Sequence, residues 1–212
     1  MTKDLFARCL LMLAVFLVPA VGFAAGEALP PDELVRSVTN EVLTIVRSDK
    51  SIQAGNTRKV LDLVDQKVLP HFNFNRMASS AVGFDWRTAN PEQRERITAA
   101  FRTLLVRTYS NALTQYRNQE ITVRPLRSSP GEKRVRVNTV VSQPGAQPIS
   151  IDYALEQEGQ AWKVFDVIVA GVSLVTNYRS SFVEEIHAKG IEGLIASLEA
   201  KNKSLETGQG SK

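Results

Sequence analysis

The sequence predicts an α+β fold in which N-terminal and C-terminal helices pack on a curved, four-stranded antiparallel sheet. Apolar residues recur at spacings of three and four before residue 117 and after residue 173, which indicates amphipathic helices. Between residues 120 and 170 they alternate with polar residues, which indicates strands. The connections between these strands are too short for crossovers, so neighbouring strands are expected to be antiparallel.

Residues 1–24 have the layout of a secretory signal peptide. Lys3 and Arg8 precede an unbroken apolar run, Cys9–Val18, and small residues follow up to Ala24. This run is too short to cross a bilayer comfortably. We therefore expect export to the periplasm and cleavage after Ala24, with a retained N-terminal anchor helix as the alternative.

The remainder is expected to form a single domain over residues 25–202, followed by a disordered polar tail, 203–212. Cys9 is the single cysteine of the chain, so the exported domain would be stabilised without disulfides. The formal net charge is +4. For an exported protein this charge favours anionic lipid head groups over nucleic acid as the partner.

Three helices are predicted in the first part of the domain. The first carries an apolar face formed by Leu34, Val38, Val42, Ile45 and Val46. The second, which ends near Pro70, carries Val60, Leu61, Val64 and Val68. The third, which closes at Gly83, carries Phe74, Met77, Ala78 and Ala81.

The clearest local signal is the start of a fourth, long helix. Asn90 is suited to the N-cap, Pro91 to the first helical position, and Gln93 to closing a capping box. The helix is predicted to run to about Arg117. Its apolar stripe consists of Ile97, Phe101, Leu104, Leu105, Thr108, Ala112, Leu113 and Tyr116.

Four strands and two closing helices follow. The strands are predicted at Glu120–Arg127, Arg134–Ser142, Pro148–Glu156 and Ala161–Ala170. Apolar positions that line the closing helices are Leu174, Val175, Tyr178, Phe182 and Ile186 before Gly190, and Ile191, Leu194, Ile195 and Leu198 after it. A curved sheet covered by helices tends to leave a cavity between the two layers.

Motifs for catalysis or metal binding are missing from the sequence. His71 and His187 have no partner at motif spacing, and no metal or cofactor is expected. Asp166 interrupts an apolar strand and is the one candidate for acid–base chemistry. Ketosteroid-isomerase-like enzymes place an acid in the cavity of a similar NTF2-like fold. The alternative is that Asp166 pairs with an arginine or caps a neighbouring backbone.

A basic stretch allows two interpretations, a solvated sheet face or a patch that faces anions. It consists of Arg117, Arg124, Arg127, Lys133, Arg134 and Arg136.

Several segments resemble the toluene-tolerance (MlaC) family of periplasmic phospholipid-binding proteins. They are Asp85–Arg94 (DWRTANPEQR), Phe101–Tyr109 (FRTLLVRTY), Trp162–Val167 (WKVFDV), Gly171–Arg179 (GVSLVTNYR) with Phe182, and Gly190–Ile195 (GIEGLI). Together they extend over nearly all of the predicted domain in the order found in the family. One departure is Ala170, where many relatives carry an acid before the G-V-S motif.

The resemblance implies a monomeric, non-enzymatic carrier that shields acyl chains in an apolar cavity. It further implies transfer of phospholipid between an outer-membrane lipoprotein–porin complex and an inner-membrane ABC transporter with MCE domains. Such transfer would maintain the lipid asymmetry of the outer membrane.

Candidate lipid-binding residues follow from the apolar faces. On the long helix they are Phe101, Leu104, Leu105 and Tyr109, and on the sheet Val137, Ile151, Tyr153, Val164 and Ile168. Val172 and Val175 are expected near the edge, and Arg107 with Tyr109 at the mouth. Ordinary core packing is the alternative for each of them.

Three other functions remain open on the sequence. A lipoprotein chaperone would also shield acyl chains but would carry a different ligand. A small-molecule isomerase would depend on Asp166, and an envelope adaptor with a filled core would carry no ligand.

Overall fold

The computed structural model describes residues 29–129 and 131–207 and confirms the α+β class. The predicted signal peptide lies outside these residues. The helices are α1 (Pro31–Ser48), α2 (Lys50–Gln53), α3 (Thr57–Lys67), α4 (Phe74–Val82), α5 (Pro91–Tyr109) and α6 (Leu174–Glu206). The strands are β1 (Glu120–Val123), β2 (Arg134–Ser142), β3 (Ile149–Glu158), β4 (Ala161–Val169) and β5 (Val172–Ser173). Short 3₁₀ helices lie at Leu69–His71, Gly83–Arg87 and Ser110–Leu113.

Helix α5 begins as predicted but ends earlier. The Asn90 side chain accepts from the Gln93 backbone N–H, and the Gln93 side chain accepts from the Asn90 N–H, which completes the capping box. The α-helix stops at Tyr109 rather than near Arg117, and the chain tightens into a 3₁₀ turn. Polar side chains that bond to the local backbone favour this change, since the Thr114 hydroxyl donates to the Asn111 carbonyl at 2.7 Å.

The sheet has five strands instead of four, in the order β1-β2-β3-β4-β5 with every neighbouring pair antiparallel. The additional strand, β5, forms a two-residue hairpin with β4. Ala170 (φ 50°) and Gly171 (φ 85°) supply the two left-handed residues that a tight turn between twisted strands needs. Strand β1 is shorter than predicted and ends at Val123.

A β-bulge interrupts β4 and decides which of its side chains face the helices. Ala154 pairs with Asp166, whereas the next residue, Leu155, pairs with Val164, so Phe165 is left without a partner. One extra residue reverses the alternation of side chains along a strand. Val167 and Val169 on one side of the bulge therefore share a sheet face with Val164 on the other.

The two predicted closing helices form one continuous element that bends at Gly190. This residue has φ 71° and ψ −178°, outside the helical region. Helix α6 extends to Glu206, so residues 203–206 of the expected tail are helical. Residues 208–212 lie outside the described part of the chain.

Buried side chains form three apolar clusters. The helical core joins α4, α5 and α6, and the Phe101 ring there meets the rings of Tyr178 and Phe182 edge-on at 5.1 and 5.2 Å between centroids. A second cluster joins α1, α2 and α3 around Val46 and Val60. A third, the sheet core, packs Val35 of α1 on Val123, Val137, Leu155 and Val164.

Candidate functional site

A cavity of about 940 Å³ lies between the concave face of the sheet and the helices. One wall comes from α1, α3 and the segment around α4, and another from the end of α5 and the following turn. The helical part of the wall includes Leu34, Val35, Val38, Val42, Leu43, Val64, Val68, Leu69, Phe72, Phe74, Met77, Leu105, Val106 and Leu113. The three apolar clusters thus surround a space that their own side chains leave empty.

The sheet contributes a row of three aliphatic residues and one tyrosine from two neighbouring strands. Ile151 and Tyr153 on β3 pair with Val169 and Val167 on β4, and all four line the cavity. Leu155 and Val164 continue the same face beyond the bulge. Strict alternation from Val164 would have placed Asp166 and Ile168 on this face, so the bulge keeps a carboxylate out of the cavity wall.

Exposed wall residues mark the mouth of the cavity. They are Tyr109, Ala112 and Gln115 at the end of α5 and the following turn, and Val172 and Asn177 at β5 and the start of α6. Tyr178 lies behind Tyr109 at this end. Burial and the neighbouring Tyr109 phenol raise the pKa of Tyr178 to about 12, so the Tyr178 phenol is neutral at pH 7.

The cavity wall is uncharged. Among the described residues that form it there is no aspartate, glutamate, lysine or arginine. Burial lowers the pKa of His71, and this favours its neutral imidazole. Burial also raises the pKa of Tyr153, which keeps its phenol protonated. A surface of this kind suits a long apolar ligand and offers no charged partner to an ionic one.

Six of the predicted site residues lie on the cavity wall. They are Leu105, Tyr109, Ile151, Tyr153, Val164 and Val172. Contact with a ligand stays a prediction for each of them.

Five other predicted site residues lie elsewhere. Phe101, Leu104 and Val175 are buried in the helical core, where three helices pack around them. Val137 is fully buried in the sheet core beneath Val35 and Val123. Ile168 was placed on the face of Val164, but the bulge between them turns it to the opposite side of the sheet.

Arg107 was predicted at the mouth, but its side chain makes its contacts elsewhere. Its guanidinium donates to the Asn202 carbonyl and pairs with the Glu206 carboxylate at 3.2 Å, both near the end of α6. Arg107 therefore joins α5 to α6. Its side chain projects to the side of α5 that faces α6, and Arg107 does not line the cavity.

Asp166 caps a helix. Its carboxylate accepts from the Ser173 hydroxyl at 2.6 Å and from the Val175 backbone N–H at 3.2 Å. Ser173 in turn accepts from the Thr176 N–H as the N-cap of α6. A carboxylate at a helix N-terminus is favoured by the helix dipole. Asp166 does not line the cavity, so the geometry of an acid inside it is missing.

The basic stretch lies outside the cavity. Arg134 and Arg136 alternate with Val135 and Val137 on β2, so they project from the convex face of the sheet. Arg117 donates to the carbonyls of Thr114 and Tyr116 in its own turn. None of these residues belongs to the wall that the structure describes.

Sequence reasoning missed the contribution of α1 and α3 to the cavity. Their apolar faces were recognised, but Leu34, Val38 and Val42 were not nominated as site residues. The available signal was the apolar stripe on α1 itself, which the sequence shows but does not assign to a cavity rather than to a filled core. Phe72 and Phe74 were missed for another reason, because they reach the cavity only where the chain bridges to Val164 of β4.

Within the described ranges, no group of three or more His, Cys, Asp or Glu residues is arranged to hold a metal ion. Within the same ranges, every helix is too short or too polar to span a bilayer.

The resemblance inferred from the sequence is confirmed by comparison with known proteins. The protein is 30% identical over 182 residues to the toluene tolerance protein ttg2D of Pseudomonas putida, covering 85% of this chain and 82% of that one. It is 24% identical over 201 residues to the intermembrane phospholipid transport system binding protein MlaC of Haemophilus influenzae, covering 93% and 92%.

A solved structure has the same fold. It is that of a phospholipid-binding protein from Ralstonia solanacearum in complex with a phospholipid, with a TM-score of 0.77 and 34% identity over 82% of this chain and 98% of that one. The family model described as "MlaC protein" matches residues 36–200. The chain therefore belongs to the MlaC family.

Proposed function

We propose that the protein is a carrier that binds the acyl chains of a phospholipid in the cavity. The observation that carries this proposal is the uncharged, apolar wall around about 940 Å³ of space. This volume is near the upper end of the roughly 300–1,000 Å³ that is usual for ligand sites. The phospholipid bound by the Ralstonia solanacearum relative supports the same ligand class.

The free energy of transfer explains why a carrier of this kind needs such a cavity. A two-chain lipid has on the order of 30 methylenes at about 0.8 kcal/mol each, so its exposure to water costs roughly 25 kcal/mol. A carrier must offset nearly all of this cost, or the lipid would not leave its membrane. It must not exceed the cost greatly, because the lipid would then not be released.

The phosphate of the lipid would lie outside the cavity. No charged side chain of the described wall is available to pair with it, and Arg107 is engaged with α6. Burying an unpaired phosphate would be strongly unfavourable, so the head group would extend through the mouth into water. We therefore expect binding to depend on the acyl chains and to discriminate little between head groups.

We propose the periplasm as the site of action. The signal-peptide layout of residues 1–24 supports export. The name of the Haemophilus influenzae relative describes an intermembrane phospholipid transport system, which supports a role in moving lipid between two membranes. The partners in this proposal are an outer-membrane lipoprotein–porin complex and an inner-membrane MCE-domain ABC transporter. In this proposal the protein is a monomeric carrier without enzymatic activity. It would carry phospholipid between the two complexes and so maintain the lipid asymmetry of the outer membrane.

Mass spectrometry of the ligand tests the proposal. Phospholipid should be released when the purified protein is denatured, in an amount comparable to the protein. Ile151→Trp places a large ring in the cavity and should reduce the bound lipid by at least half. Val140→Trp is the matched control, because Val140 lies on the opposite face of β2.

Each competing function predicts a different result. A lipoprotein chaperone would release a lipidated peptide, and an adaptor would release no lipid at all. If Ile151→Trp retained its full lipid content, the acyl chains could not lie in this cavity as proposed. Loss of biological activity in Asp166→Asn with full lipid content and unchanged folding would favour an enzyme.

A further inference from the structure

One phenol of the cavity wall has no hydrogen-bonding partner within the described part of the chain. The four tyrosines of the sequence are Tyr109, Tyr116, Tyr153 and Tyr178. The Tyr116 phenol donates to the Gln119 carbonyl at 2.8 Å, and the phenols of Tyr109 and Tyr178 lie beside one another. For the Tyr153 phenol, the described residues supply neither a donor nor an acceptor. Polar groups inside proteins are nearly always hydrogen-bonded, so this exception needs a reason.

Tyr153 lies on the concave face of β3, away from bulk solvent, and the surface it retains faces the cavity. It pairs with Val137 of β2 and with Val167 of β4. In the sheet part of the described wall it is the one side chain able to donate a hydrogen bond, because the others are valine, leucine and isoleucine. The sheet therefore presents a single donor on an otherwise aliphatic surface.

Other partners for this donor are less suitable than a ligand. A water molecule needs about two to four polar groups to hold it, and the neighbouring Ile151 and Val167 are apolar. The wall hydroxyls of Thr39 and Ser110 lie on α1 and after α5, where a short side chain can bond to the carbonyl of the preceding turn. A phenol is too far from its own backbone for such a bond. Its acceptor must therefore enter the cavity with the ligand.

The position of Tyr153 indicates which group of a lipid could be this acceptor. A diacyl phospholipid carries two ester carbonyls between its phosphate and its acyl chains. With the head group outside the mouth, these esters are the first polar groups to enter the cavity. Val172 at the mouth pairs with Val169, which pairs with Ile151. Tyr153 follows on the same face of β3, about 7 Å further along the strand.

We propose that the Tyr153 phenol donates a hydrogen bond to an ester carbonyl of the bound lipid and so selects diacyl lipids over dialkyl ether lipids. This inference rests on the proposed function. A lipid without ester carbonyls would cover the phenol and leave it without a partner, which is unfavourable. Every diacyl phospholipid has these carbonyls, so the selection is independent of the head group.

Competition between two matched lipids tests the proposal. Delipidated protein is loaded with a fluorescent phospholipid, which is then displaced by dipalmitoyl phosphatidylglycerol or by its dihexadecyl ether analogue. Inhibition constants are corrected for the affinity of the fluorescent lipid. Tyr153→Phe removes only the hydroxyl, so it should weaken binding of the diester about fivefold and change binding of the diether by less than about twofold. Comparing the diester-to-diether ratio between wild type and variant removes differences in how readily each lipid leaves its own vesicles.

Tyr178→Phe is the matched control. It makes the same chemical change in a phenol that does not belong to the described wall, so the wild-type ratio should be retained. The unfolding temperature of delipidated Tyr153→Phe should equal or exceed that of the wild type, because an unpartnered phenol contributes no hydrogen bond to the empty protein. A lower unfolding temperature together with equal weakening of both lipids would assign Tyr153 a structural role and overturn the proposal.

Two further outcomes would contradict the proposal in distinguishable ways. If wild type and Tyr153→Phe had the same diester-to-diether ratio, the hydrogen bond would be absent while the carrier function remained. If neither lipid bound to the wild type, the proposed function and the role of Tyr153 would both be wrong.

Discussion

The helical core and the cavity wall are built from the same kinds of residue but are packed differently. In the helical core, Phe101, Tyr178 and Phe182 fill the space between α5 and α6 with aromatic rings. On the sheet, Ile151, Val167 and Val169 face an unfilled space. The difference shows that apolar character alone does not produce a filled core. Side-chain volume and the distance between the layers decide whether the space between them is filled.

The helical core and the cavity wall also have different roles in the protein. The helical core stabilises the fold through close packing, where every lost methylene is costly. The cavity wall contributes less to stability, because its apolar groups gain full contact only when a ligand is present. Substitutions in the two regions should therefore affect different measurements.

The largest effect is expected in the helical core. Phe101→Ala removes a fully buried ring that contacts two others, so the free energy of unfolding should fall by about 3–5 kcal/mol. Urea denaturation of delipidated protein measures this loss. A fall below about 1 kcal/mol would show that the helical core is also loosely packed and would remove the contrast.

Two valines in one row of the sheet allow a direct test of the difference between the filled core and the cavity wall. Val137 and Val167 both pair with Tyr153, but Val137 is fully buried and Val167 lines the cavity. Val137→Ala should lower the free energy of unfolding by about 2 kcal/mol, since two methylenes are worth about 1.6 kcal/mol and a new void adds to that.

Val167→Ala should cost delipidated protein less than half as much, because Val167 is only partly buried against the sheet core and the rest of its side chain faces the cavity. Its effect should appear instead as a lower affinity for phospholipid. Equal destabilisation of the delipidated variants, measured by the same urea titration, would indicate that the cavity closes when it is empty.

A smaller loss is expected at the start of α6. Asp166→Asn removes the negative charge that caps this helix together with Ser173, so stability should fall by about 1 kcal/mol. Ser173→Ala should cost a similar amount. The double variant should cost less than the sum, because the two side chains bond to one another. Strict additivity in thermal unfolding would argue against a shared cap.

The smallest effect is a gain in stability at the turn between β4 and β5. Ala170 has φ 50° and is the one non-glycine residue with positive φ in the described ranges. Asparagine tolerates this conformation better than alanine, so Ala170→Asn should stabilise the protein by about 0.5 kcal/mol. Ala146→Asn, in a loop without positive φ at that residue, is the control.

Local patterns predicted most of the fold. The capping residues Asn90 and Gln93, the 3.6-residue stripes and the strand alternation located the helices and four of the five strands. The resemblance to the family was likewise recognisable from Gly171–Arg179 and the other segments. Strand β5 and the end of α5 at Tyr109 were not predicted, because each depends on a few backbone hydrogen bonds that have no periodic signature.

The candidate site was predicted less completely, for physical reasons. Because of the bulge at Phe165, Val167 and Val169 line the cavity instead of Ile168. No residue type in β4 predicts this bulge. Arg107 was predicted at the mouth together with Tyr109. On α5 the two side chains point in different directions, and Arg107 reaches Asn202 and Glu206 instead.

The sequence by itself determined the α+β class, the antiparallel sheet, the family and the expectation of a cavity. These follow from periodicity, capping and short connections, which act between residues close in the chain. Only the tertiary structure decided which apolar residues fill the helical core and which line a hollow. That choice depends on the separation of α1 and α5 from the concave sheet, a distance set by contacts between residues far apart in sequence.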